Sequence, residues 1–177
     1  MDKLPIRKYL RLQGYDYNQN GAYFITICVN DKHEMLGEVV GRDALGTPYI
    51  KLSEYGEIVF KEIEKTPSYY NGITIDKFVV MPNHVHMIIT INRNYDSTTI
   101  NEIKNNGAPR ASRPTTALIP NIIAILKKKT NKIFSFNMWQ DSYHDRIIRS
   151  EKEYQAICKY IDENPAQWAE DEYYEEK

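Results

Sequence analysis

No apolar run in the chain approaches the roughly 20 residues needed to cross a bilayer, and Met1-Asp2-Lys3-Leu4-Pro5 lacks the apolar stretch of a signal peptide. No membrane association is expected, and the expected location is cytoplasmic. Cysteine is scarce as well: Cys28 falls in an apolar strand pattern and Cys158 in a helical one, without paired spacing. That argues against a disulfide-built scaffold and suits a reducing compartment. There is no Gly-rich phosphate loop of the Walker type. Positive charge is not in excess either, with 23 Lys and Arg against 24 Asp and Glu and a formal charge of -1. A generally basic nucleic-acid binder is therefore not expected.

What is present is an ordinary globular composition, 42% hydrophobic and 27% charged over 177 residues. This suits one domain spanning 1–177 with a real core. The charge is unevenly spread. Between Asn101 and Arg149 stand nine basic residues, Lys104, Arg110, Arg113, Lys127, Lys128, Lys129, Lys132, Arg146 and Arg149, against Glu102, Asp141 and Asp145. The acidic tail, 169–177, carries five acids and masks that bias. Such a run is either a solvated face or the footprint of a polyanion.

Residues 22–29 form a β-branched and aromatic run that predicts a buried strand. Glu34 to Val40 and Tyr49 to Leu52 predict a hairpin or meander around Gly41, Gly46 and Pro48. Ser53 caps a helix carrying Tyr55, Ile58, Val59 and Ile63 at helical spacing, which stops near Thr66-Pro67. Ile73 to Val80 and Val85 to Ile91 are two more strands, broken by Met81-Pro82-Asn83-His84. The stretch 92–116 is polar, with Gly107, Pro109 and Pro114, and is expected to be a long mobile loop. Ile119 to Lys132 returns to helical spacing. A last helix starts at Ser150 with Glu153 at capping-box spacing, carries Tyr154, Ile157, Cys158 and Ile161 as one stripe, and ends at Asn164-Pro165. The expected fold is α+β: a sandwich with helices on one face of one large, mainly antiparallel sheet.

His84 and His86 stand two apart at the start of a strand, so both imidazoles project to one face and can share a divalent ion. Neutral imidazoles also serve as hydrogen-bonded core groups, and the pair alone does not decide between the two. Tyr160 and Asn164 lie one turn apart on the last helix, on the shoulder of its apolar stripe. There a tyrosine either reaches a cleft or merely covers the core rim, and an asparagine can simply cap the helix end.

Three ordered motifs weigh these alternatives: Met81-Pro82-Asn83-His84-Val85-His86, Trp139-Gln140-Asp141-Ser142-Tyr143-His144-Asp145-Arg146-Ile147-Ile148-Arg149, and Tyr160-Ile161-Asp162-Glu163-Asn164-Pro165. Together they resemble the single-tyrosine transposases of the HUH endonuclease family, and within it the branch called REP-associated tyrosine transposases. The similarity runs from about Arg7 to Trp168, leaving out 92–116 and the acidic tail. It implies a ferredoxin-like or RRM-like sandwich with a C-terminal tyrosine-bearing helix. It further implies His84, His86 and Asn164 as ligands of Mg²⁺ or Mn²⁺ and Tyr160 as nucleophile. His144 and Asp145 lie inside a motif without an assigned role.

The resemblance implies that single-stranded DNA, often beside hairpin-forming repeats, is cut to a 5′-phosphotyrosine and a free 3′-hydroxyl, then rejoined. Because one ester replaces another, no ATP and no Walker loop are required. Lys127, Lys128, Lys129, Lys132, Arg146 and Arg149 are the expected DNA contacts, and Trp139 and Tyr143 are candidates for base stacking, with a place in the core as the alternative for Trp139. Many relatives form dimers, so a homodimer stays open. Two other readings compete: a rolling-circle replication initiator or relaxase using the same histidines, and a sheet-based single-stranded nucleic-acid binder that makes no covalent bond. A tyrosine hydroxyl within a few ångströms of the histidine pair separates the enzymes from the binder.

Overall fold

The computed structural model describes residues 15–41, 48–93 and 117–174. The expected loop 92–116 lies outside these residues from 94 onward, and so do the last three positions of the acidic tail. The architecture is α+β. A four-stranded antiparallel sheet runs in the order β4 (Ile73–Val80), β5 (His84–Ile91), β1 (Gly21–Cys28), β6 (His144–Ile148). The hairpin strands β2 (Gly37–Val40) and β3 (Tyr49–Leu52) pair only with each other, as a separate ribbon and not as part of one large sheet. Among the described residues no helix is long and apolar enough to cross a membrane.

Helices pack on both faces of the sheet, which corrects the one-face expectation. Ile25 and Ile27 of β1 and Val85, Met87, Ile89 and Ile91 of β5 form a large core with α1 (Glu54–Lys65) and α2 (Leu118–Phe134). The alternate residues, Phe24 and Ile88, meet Ile157 and Ile161 of α3 (Glu151–Glu163) on the other side. Side chains alternate along a strand, so a strand buried nearly end to end, as β5 is, must be covered twice.

The helix starts follow their caps. Ser53 Oγ accepts from the Gly56 N–H at 3.1 Å and Ser150 Oγ from the Glu153 N–H at 3.2 Å. Glu153 turns back to the Arg149 N–H at 2.9 Å, one residue earlier than a strict capping box. Pro165 ends α3 but not the helical path, which tightens into a 3₁₀ segment, Asn164–Glu170. Proline is tolerated in a first turn, where its missing N–H is not needed. Trp168, 8% exposed, anchors that segment and brings the start of the acidic tail back over the sheet.

Candidate active site

His84 opens β5 opposite Cys28, and His86 stands opposite Thr26 of β1. Both imidazoles are fully buried and share the face on which α3 packs. Their Nε2 atoms are 3.0 Å apart. Asn83 fixes the tautomer of the first ring. Its side-chain N–H groups donate to the carbonyls of Lys32 (3.0 Å) and Tyr173 (2.8 Å), so its Oδ1 must be the atom that accepts from His84 Nδ1 at 2.9 Å. The proton is then on Nδ1, and the lone pair of Nε2 faces His86. Thr26 Oγ1 holds His86 Nδ1 at 2.8 Å. Burial lowers His84 to a pKa of about 3, and burial followed by the neighbouring His84 lowers His86 well below its usual range. Both rings are neutral, the form that binds metal.

Tyr160 comes down from α3 onto this pair. Its hydroxyl is 3.2 Å from His86 Nε2 and 3.4 Å from Asp171 Oδ2, and its ring lies edge-on to Phe24. Burial, then the Asp171 carboxylate, raises its pKa to about 12. Asn164, one turn on, is 1% exposed; its amide N–H donates to Asp171 Oδ2 at 2.8 Å. Its Oδ1 is buried with no hydrogen-bond partner, an oxygen short of a donor or a cation. Two donors about 2.1 Å from one ion at a right angle lie about 3.0 Å apart, which is the spacing of the two Nε2 atoms. The residues present therefore fit a divalent ion.

Asp171 is the residue that sequence reasoning missed. Its carboxylate and the nitrogens of His84 and His86 lie within 4.8 Å of one another. The Tyr173 ring covers His84 at 4.6 Å, and Trp168 stands 5.9 Å from the same imidazole. A tail of five acids reads as a solvated run, and no local signal in it announces the return over the sheet. His144 sits opposite Thr26 on the site face, its ring 6.5 Å from Tyr173. Asp145 points to the other face.

The expected DNA contacts separate. Arg146 and Arg149 are exposed, and Arg146 projects from the site face while pairing with Glu153 at 2.7 Å. The α2 lysines lie on the other side of the sheet. Lys127 is a strut, donating to the carbonyls of Gln140 (2.6 Å) and Ser142 (2.7 Å). Lys129 packs over the Tyr69 ring at 3.3 Å. Lys128 and Lys132 line an open groove of about 620 Å³ with Asn131 and Phe136. Trp139 and Tyr143, 1% and 5% exposed, belong to the core and offer no face to a base.

Comparison with known proteins bears on the family and the fold. The family model described as "Transposase IS200 like" matches residues 20–164. An uncharacterised protein of Haemophilus influenzae is 31% identical over 175 residues, 95% of this chain and 93% of its own length. Among solved structures, a REP-associated tyrosine transposase bound to a REP hairpin superposes with a TM-score of 0.56 at 19% identity, covering 89% of this chain and 73% of that one. At that identity the likeness establishes the fold.

Proposed function

The chain belongs to the IS200-like transposase family, and from that premise we propose that it cuts and rejoins single-stranded DNA with Tyr160 as nucleophile. One observation carries the reading: the Tyr160 hydroxyl stands 3.2 Å from the Nε2 of His86. A module that only held nucleic acid has no use for a tyrosine aimed at a buried histidine pair. The hairpin in the related complex supports hairpin-forming repeats as the substrate, in line with the REP-associated branch.

His84 and His86 would hold a divalent ion, Mg²⁺ or Mn²⁺, with an oxygen from the Asn164 and Asp171 pair. When bound, the ion supplies positive charge beside the scissile phosphate. Asn83 and Thr26 hold the two Nδ1 atoms and so keep both Nε2 atoms turned into the pocket. Phe24 and the covering Trp168 and Tyr173 exclude water around the imidazoles. Tyr160 Oη forms a bond to phosphorus as the bond to the 3′ oxygen breaks. The tyrosine gives up its proton and the departing 3′ oxygen gains one, leaving a 5′-phosphotyrosine and a 3′-hydroxyl. A second 3′-hydroxyl reverses the step, so the ester energy is conserved and no nucleotide is consumed. Arg146 approaches the phosphates on the site face, and Lys128 and Lys132 do so at the groove on α2.

The test is a denaturant-resistant adduct between the protein and labelled single-stranded hairpins from repeats flanking its own gene, in Mn²⁺ or Mg²⁺. The expected result is an adduct that needs the metal and disappears in Tyr160→Phe and His84→Ala. Tight hairpin binding, unchanged in Tyr160→Phe and without any adduct, would instead identify a binding protein that kept the fold and lost the reaction.

A further inference from the structure

Two residues compete for the oxygen position beside the imidazoles: Asn164, at the end of the tyrosine helix, and Asp171, seven residues on. We infer that Asp171 is the oxygen ligand of the ion and Asn164 the residue that positions it, an assignment that rests on the metal reading above. Charge is the first reason. Two neutral imidazoles and a neutral amide leave a divalent ion in a buried pocket with its charge uncompensated, whereas a carboxylate offsets part of it and is the preferred donor of a hard cation.

Geometry is the second reason. Donors that share an ion at about 2.1 Å lie at most about 4.2 Å from one another. The carboxylate and the two imidazoles already lie within 4.8 Å, so a contraction of about half an ångström closes the site. The Asn164 amide turns its nitrogen, not its oxygen, toward Asp171 Oδ2 at 2.8 Å. Reversing it to aim Oδ1 at the ion would set oxygen against the carboxylate oxygen. As placed, Asn164 holds one carboxylate oxygen while the Tyr173 N–H holds the other at 2.8 Å. Such outer hydrogen bonds orient a ligating carboxylate.

The segment bearing Asp171 is built into the pocket. Asn83 accepts from His84 Nδ1 through one atom and donates to the Tyr173 carbonyl through another. The side chain that sets the histidine tautomer thus also fixes the backbone two residues beyond Asp171. The matched family segment stops at residue 164, so the ligand lies outside the stretch that defines the family.

Mn²⁺ titrated into the full chain and followed by the electron paramagnetic resonance of the free ion tests the assignment. Asp171→Asn and His84→Ala should each weaken binding about tenfold or more. Asp171→Glu, which keeps the carboxylate, should retain more affinity than Asp171→Asn and guards against a variant that fails to fold. Asn164→Ala should weaken binding less than Asp171→Asn, with Asn164→Gln restoring part of the loss because it keeps an amide donor. Wild-type affinity in Asp171→Asn beside a tenfold loss in Asn164→Ala would overturn the assignment and make Asn164 the ligand. Wild-type affinity in His84→Ala would overturn the metal reading itself, a different failure.

Discussion

Acid should destabilise the metal-free protein, and the histidine pair sets by how much. His84 has no exposed surface and burial holds it to a pKa of about 3, whereas in the unfolded chain an imidazole titrates near 6.5. Above pH 6.5 both states are neutral and the full stability is present. Between 6.5 and 3 the unfolded chain takes up a proton that the folded one refuses, so stability falls by about 1.4 kcal/mol per pH unit. From pH 7 to pH 5 that removes about 2 kcal/mol through His84. His86 is lowered by burial and then by His84, so it acts in the same direction and steepens the loss. Unperturbed carboxylates titrate mostly below this window. Urea unfolding followed by circular dichroism at pH 7, 6 and 5 with a chelator measures the slope, and His84→Gln should make it shallower. Equal stability at pH 7 and pH 5, or an unchanged slope in His84→Gln, would refute the claim that buried neutral imidazoles control the acid response.

Gly56→Ala should lower stability by about 2 to 3 kcal/mol in urea unfolding, because its Cβ would run into the Leu36 carbonyl oxygen and crowd the Leu52 side chain. Trp139→Phe should cost about 1 to 2 kcal/mol in the same assay, since it deletes the buried bond from Nε1–H to Thr130 Oγ1 at 2.8 Å. Lys127→Met should destabilise the fold by removing the strut to Gln140 and Ser142. Lys128→Ala and Lys132→Ala should instead each reduce the slope of log affinity for single-stranded DNA against log salt by about 0.7, measured by fluorescence anisotropy.

The local signals in the sequence were read well where local physics decides them. Strand alternation placed His84 and His86 on one face, and the caps Ser53 and Ser150 began α1 and α3 where expected. The spacing of Tyr160 and Asn164 put both at the site. What was not legible depends on pairing between distant segments. Nothing near His86 announces that Thr26, sixty residues earlier, will hold its Nδ1. That follows only from the register of β1 against β5. The second helical layer is not legible because Ile88 and Val85 are equally apolar, so the pattern of β5 does not show that this central strand is buried on both sides. The basic stretch was read as one surface, whereas the sheet divides it, with Arg146 on one side and the lysines of α2 on the other.

Pro82-Asn83 shows why the motif around the histidines holds more than ligands. The proposed ester exchange needs a pocket that stays assembled through both directions, because the tyrosine would attack and later leave from the same geometry. Met81 N–H donates to the His84 carbonyl at 2.8 Å, closing the turn between β4 and β5, and the Pro82 carbonyl accepts from Leu36 at 2.8 Å. The turn is therefore pinned to the ribbon on one side. Asn83 then uses its three side-chain bonds on the Lys32 carbonyl, the Tyr173 carbonyl and His84 Nδ1. One buried amide joins the loop after β1, the returning tail and the His84 imidazole. An aspartate of the same shape would have no N–H to give either carbonyl, so the asparagine follows from the two carbonyls that converge on it as much as from the histidine it orients.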